Sequence, residues 1–372
     1  MNPERLLQCF LQLVQIDSPS FHEAKVAAWC QKELEACGCR VRIDDSSAQT
    51  GSDTGNLIAY MPARGRSGRL YFSAHMDTVS PGEGIRPQIT DGVIRSAGDT
   101  VLGGDDKSGV AAIIEMVRTF DQTDLPHPEL VILLSVAEEC GLLGAAAIDG
   151  SDFAGEPCLV LDAEGPPGVV IIGAPYHHEF TARFIGRASH AGVKPEDGLS
   201  AIVLAARAIS GMHLGRLDDM TTANIGTIQG GRANNVVADT CIVTGEFRSL
   251  KAKRLNEVQV QLAAAIQDAV ATGGGDVEVD WTQAYPGFKV EASDPLVQLV
   301  LNEAQKLGLR AEARCTGGGS DANVLADKGL RPLVLGCGMT AVHSLKESLV
   351  VEDLENTARL AIACAVAYGD DI

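Results

Sequence analysis

The chain has 372 residues, room for two ordinary domains, and its 45% hydrophobic and 21% charged residues are the balance of a globular protein. A net charge of −19 argues against nucleic acid and against an anionic membrane surface as partners. No uninterrupted apolar run is long enough to span a bilayer, and the ten cysteines form no CxxC pair, which points to reduced, mostly buried thiols in a cytoplasmic protein.

The opening MNPERLLQCFLQLVQIDSPS carries early charges and Gln inside its apolar stretch, so it predicts an amphipathic helix rather than a signal peptide. A second helix follows to about residue 37. Strands are predicted at Asn56–Met61 and Leu70–His75, then a glycine-rich loop from Gly98 to Gly109 and a helix from Val110 to about Phe120. The run VILLSV (131–136) is apolar throughout, as in a strand covered on both faces, yet it ends in Glu138 and Glu139. A further strand is expected at Cys158–Asp162. Strands alternating with helices predict a doubly wound, largely parallel α/β sheet.

The pattern changes over residues 176–285. Strand, helix, two strands, helix and strand follow in the β-α-β-β-α-β order of a ferredoxin-like unit. Afterwards α/β character returns, with a helix at Pro295–Leu307, the loop TGGGSDAN, the strand RPLVLG and a last helix from Val351. The expected organisation is one α/β domain made of residues 1–175 and 286–372, with 176–285 inserted into it.

In open α/β sheets functional groups gather beyond the carboxyl ends of the strands. Here those ends offer His75 and Asp77, Asp162 and Glu164, the adjacent Glu138 and Glu139, the loop acids Asp105 and Asp106, and His343. Singly, each is as well explained as a cap, a solvated loop residue or a core histidine; Cys140, beside the acid pair, reads as a small core residue. GGDDKSG lacks the GxxxxGK[ST] spacing of a phosphate loop. Convergent carboxylates, however, cannot all stay ionised in one pocket without a compensating cation. A mixed His/Asp/Glu set fits zinc, with cobalt or manganese as substitutes.

The segments SAHMDTV, LGGDDKSG, VAEECGLLGA, LVLDAEG and AVHSL resemble, in order and spacing, the dimetal exopeptidase family of aminoacylase, carboxypeptidase G and tripeptidase T. The GGDDKSG and LDAEG forms are most similar to the tripeptidase T branch. The resemblance spans nearly the whole chain and implies two zinc ions per subunit. It implies His75 and Asp162 on one ion, Glu139 and His343 on the other, and Asp105 bridging both. Asp77 would orient His75, and Glu138 would be the general base toward a metal-bridging water. A cis peptide between Asp105 and Asp106 is also implied.

In the inserted domain, ASHAG supplies His190, which resembles the family histidine that polarises the substrate carbonyl, often from a partner subunit. GGRANNVVAD aligns Asn235, and EFRSL aligns Arg248 with an arginine expected to grip a substrate carboxylate; a strand-edge salt bridge is the plainer reading of Arg248. The loop Gly317, Gly318, Gly319 and Ser320 precedes a helix and offers backbone N–H groups to an anion. The resemblance implies a lid and dimerisation role for this domain, hence a homodimer. The expected activity is hydrolysis of short peptides as a tripeptidase-type aminopeptidase. The alternatives are a carboxypeptidase-type deacylase of N-acyl amino acids and a non-catalytic peptide-binding module.

Overall fold

The computed structural model describes residues 1–369 and divides into two compact units. One comprises Met1–Gly173, Lys289–Thr316 and the chain from Ser320 onward; the other is Ala174–Phe288 with Gly317–Gly319. Among the described residues no helix is long and apolar enough to cross a membrane.

The larger unit is built on a sheet whose strands run, from one edge, Arg40–Ile43, Leu57–Met61, His127–Ser135, Gly65–His75, Pro157–Ala163, Arg331–Gly336 and Val169–Ala174. The central four, from His127–Ser135 to Arg331–Gly336, are mutually parallel; Arg40–Ile43, Leu57–Met61 and Val169–Ala174 join antiparallel, and Glu312–Cys315 pairs in parallel with Val169–Ala174. The apolar run at 131–134 lies between Leu57–Met61 and Gly65–His75, and each of its side chains is at most 1% exposed. That double coverage is why its sequence does not alternate. Its fold is therefore α/β with a largely parallel core, as the sequence predicts.

The helix after the glycine-rich loop spans Gly104–Asp121, six residues earlier than expected, but Asp105 and Asp106 keep non-helical backbone. Regular helix begins only beyond Asp106, whose carboxylate accepts from the Gly109 amide at 3.1 Å. A Cβ at Gly109 would lie 2.1 Å from the Leu161 carbonyl oxygen, so this glycine is required by close approach to a strand, not by a flexible loop. A separate four-stranded sheet of Pro87–Thr90, Val93–Ser96, Met339–Thr340 and Ser348–Val350 was not legible in the sequence, because its strands are short and largely exposed.

The smaller unit is an antiparallel sheet in the order Gly215–Asp218, Thr221–Gly230, Thr240–Ser249, Tyr176–Ile185 and Asp276–Tyr285. Helices Ala201–Gly211 and Ala252–Gly273 pack on one face through Leu204, Ala208, Val258 and Leu262 against Phe180, Phe184 and Phe247. Apart from the extra short strand at 215–218, its element order is the β-α-β-β-α-β expected. All ten cysteines are free thiols. Cys140 is exposed, not a core residue, because the turn that carries it stands at the sheet's open end.

Candidate active site

Parallel register brings the predicted residues together. His75 pairs across from Ser135, and Tyr71–Ser73 pair with Cys158–Val160, so the three strands finish side by side. Asp162 sits at the end of the third, Glu138 and Glu139 just past the second, and His343 in the segment following Arg331–Gly336.

Asp105 stands between the two imidazoles. Its Oδ1 is 3.0 Å from His75 Nε2 and its Oδ2 is 3.1 Å from His343 Nε2. Each imidazole nitrogen has a second carboxylate of its own, Asp162 Oδ1 at 3.7 Å from His75 and Glu139 Oε1 at 2.8 Å from His343. Potential ligand atoms of His75, Asp105 and Asp162 lie within 4.8 Å of one another, as do those of Asp105, Glu139 and His343. The two triads share one residue. The peptide between Asp105 and Asp106 is cis.

Protonation shows the strain on this cluster. Burial pushes Glu138 and Asp162 well above the usual carboxylate range despite the opposing charge of His75, and neighbouring acids push them further. Burial also raises Asp106 well above that range, reinforced by Asp162. For Asp105 burial acts upward too, but hydrogen bonds with His343 and His75 outweigh it and its carboxyl titrates below the usual range. Hydrogen bonds to Asp105 and then Glu139 lift His343 to about 10. With only protein groups present the cluster must borrow protons; divalent cations would relieve the same repulsion. The donor set thus fits a pair of such ions.

Glu138 also approaches His75 and Glu139 closely enough to be counted with them as a ligand group. The two glutamates differ in partner, since Glu139 pairs with His343 while Glu138 forms no ion pair among the described residues. Glu138 is 8% exposed.

Asp77 does more than the sequence suggested. The His75 Nδ1 is nearer to the Asp77 backbone oxygen, 3.0 Å, than to its carboxylate, 3.4 Å. That carboxylate accepts instead from the Glu138 and Glu139 amides, at 3.0 and 3.2 Å, and from the Ser20 hydroxyl at 2.7 Å. Glu347 was missed altogether. Its buried carboxylate accepts from the Leu102, Gly103 and Asp105 amides at 2.7, 2.8 and 2.9 Å, so a residue four positions beyond His343 fixes the backbone of Asp105. The only available signal was a lone acid after a predicted site histidine, which sequence alone cannot distinguish from a surface charge.

Within the smaller unit, His190 and Asn235 are exposed and adjacent. His190 bridges Val236, and the Ala191 amide donates to the Asn235 carbonyl at 3.0 Å. His190 Nδ1 accepts the Gly192 amide at 3.2 Å, which in the neutral ring leaves the proton on Nε2. Arg248 does form the plainer salt bridge, its Nη2 lying 2.7 Å from Glu246 Oε2, while Nη1 donates to the Tyr285 hydroxyl at 3.2 Å. A Cβ at Gly319 would collide with the Tyr285 ring at 2.4 Å. Ser320 does not offer its N–H to an anion, because Asn323 Oδ1 accepts it at 3.1 Å in a capping box.

Residues 71–366 match the peptidase family M20/M25/M40. The chain belongs to that family. It is 40% identical to the uncharacterised protein YqjE of Bacillus subtilis over 98% of both chains. The solved structure of aminopeptidase PepT from Bacillus cereus is 39% identical, with a TM-score of 0.93 over 99% of each chain. A tripeptidase from Staphylococcus aureus is 34% identical, with a TM-score of 0.95 over 99% of each. This M20-family peptidase thus shares the fold of these solved structures along nearly its whole length.

Proposed function

We propose that the protein is a zinc-dependent exopeptidase of the tripeptidase type, acting on short peptides with a free amino terminus. The observation that carries this is Asp105, with one carboxylate oxygen toward each of two imidazoles that have their own acid partners. Its likeness to structures described as an aminopeptidase and a tripeptidase supports the substrate class. His75, Asp105 and Asp162 would hold one ion and Asp105, Glu139 and His343 the other. When bound, the ions supply Lewis acidity, making a water more acidic and the scissile carbonyl more electrophilic. Cobalt or manganese can serve in place of zinc with such oxygen and nitrogen donors.

Glu138 takes the proton from the attacking water and hands it to the leaving amine. Asp77 holds both the His75 ring and the two-glutamate turn, so ring and base keep a common orientation. His190, with its proton on Nε2, is a donor for the developing oxyanion, and Asn235 lies beside it. Arg248, with Gly318 and Gly319 of the neighbouring loop, receives the substrate carboxylate; its guanidinium is already oriented by Glu246 and Tyr285.

A panel of di-, tri- and tetrapeptides and N-acyl amino acids, with zinc, cobalt and manganese, tests this reading. Tripeptides with free amines should exceed N-acetyl amino acids in kcat/KM by about 10², the size of losing one buried charged contact. The reverse order would make the protein a deacylase, and no turnover of any substrate would leave the non-catalytic peptide-binding reading.

The inserted unit serves as lid and homodimer contact. Gly215–Asp218 pairs only as far as Ala223, and among the described residues no strand covers Asn224–Gly230 on that side. Ile228 on this edge is 50% exposed, and Ile202 and Val203 of the adjacent helix are 39% and 46% exposed. A free edge beside an apolar helix face is a site for a second copy. Sedimentation should show a dimer, and Val203→Glu should shift it toward monomer; a monomeric wild type at micromolar concentration would overturn the assignment.

A further inference from the structure

The turn that delivers the two glutamates is held by side chains from outside it. Four successive amides, Val136 to Glu139, each donate to a side-chain oxygen. Val136 donates to Asn56 Oδ1 at 3.1 Å, Ala137 to Glu23 Oε1 at 2.9 Å, and Glu138 and Glu139 to the two carboxylate oxygens of Asp77. Asn56, Glu23 and Asp77 are all 0% exposed. Ala137 has a φ of 49°, the left-handed backbone that a residue with a Cβ rarely adopts, and it is where the chain turns from strand to acid pair.

We infer that Glu23, on the break between the first two helices, is a positioning residue that sets where Glu138 and Glu139 stand by fixing the Ala137 amide. Its second oxygen accepts from Ser52 Oγ at 2.5 Å and its first also takes the Phe21 amide at 3.0 Å, so the carboxylate cannot swing away. Asn56 is locked in turn, its amide donating to Asp44 Oδ2 and the Gly144 carbonyl, each at 3.0 Å. Sheet hydrogen bonding ends at Ser135, so these acceptors replace the ladder for the next four residues. Glu23 touches no reacting group; it acts through the turn.

The inference rests on the dimetal reading, with Glu138 as base and Glu139 as ligand, and two conservative variants test it. Glu23→Asp keeps the charge but withdraws the acceptor by about one C–C bond, ~1.5 Å. Glu23→Gln loses the charge but keeps an oxygen for Ala137 and Phe21, while its amide can donate to the Ser52 hydroxyl. Metal-stripped wild type and variants are titrated with zinc alone, and the cobalt-loaded forms are compared by visible absorption and tripeptide kinetics. Glu23→Asp should weaken zinc binding and lower kcat by about 10- to 100-fold, the range for disturbed supporting groups, with KM nearly constant and the cobalt spectrum altered. Glu23→Gln should stay within about threefold of wild type.

If Glu23→Asp matches wild type in zinc affinity, spectrum and kcat, the inference is overturned. It is equally overturned if Glu23→Gln falls as far as Glu23→Asp, since charge rather than acceptor position would then matter. A wild type that binds no zinc defeats the dimetal reading instead, so the two failures are distinguishable.

Discussion

Glu138→Gln should lower kcat by roughly 10² to 10⁴, the scale of lost general-base catalysis, while KM and metal content stay near wild type. The amide fills the same volume, and Glu138 has no ion pair to lose among the described residues. As the proposed general base, the Glu138 carboxylate would accept a proton from the attacking water. An amide cannot accept that proton. Glu139→Gln is the contrasting variant, because Glu139 lies 2.8 Å from His343 and its loss should weaken metal binding, with partial rescue by added zinc. The check is tripeptide turnover alongside metal content. Metal loss in Glu138→Gln but not in Glu139→Gln would reverse the two assignments.

Asp105→Asn should lower kcat/KM by about 10³ or more and leave at most one tightly held ion per chain. A carboxamide has a single acceptor oxygen, so only one of the imidazoles at 3.0 and 3.1 Å keeps its partner, with the amide nitrogen facing the other. It also removes one negative charge from the cluster proposed to hold two divalent ions, and metal affinity is set by such charge as well as by geometry. The fold should persist, because Glu347 holds this loop through the Leu102, Gly103 and Asp105 backbone amides rather than through the Asp105 side chain. Zinc titration of the variant, with melting as a control, checks the prediction.

Strand ends were legible in the sequence because apolar runs stop abruptly at polar residues, and parallel strands place such residues on one edge. That is why His75, Asp162, Glu138 and Glu139 could be named together. The helix start at Gly104 was hidden by the glycines of GGDDKSG, which suggest a loop, whereas Gly109 is there for its approach to Leu161. The supporting acids were not legible. Glu23 lies 114 residues from Ala137, and Glu347 lies 242 from Asp105. No local spacing records such long-range pairs, and before folding each is an ordinary charged residue near a helix or loop. The Arg248 salt bridge to Glu246 was anticipated only as the plainer option, because two residues on one face of a strand can pair whether or not a substrate is involved.

The most direct measurement is zinc titration of the metal-stripped wild type with tripeptide hydrolysis followed at each addition. Two triads sharing Asp105 predict saturation at two ions per chain, activity returning from near zero as the sites fill, and a break at no more than one ion for Asp105→Asn. Full turnover by the stripped chain, or no stoichiometric binding with no activity regained, would contradict a dimetal peptidase.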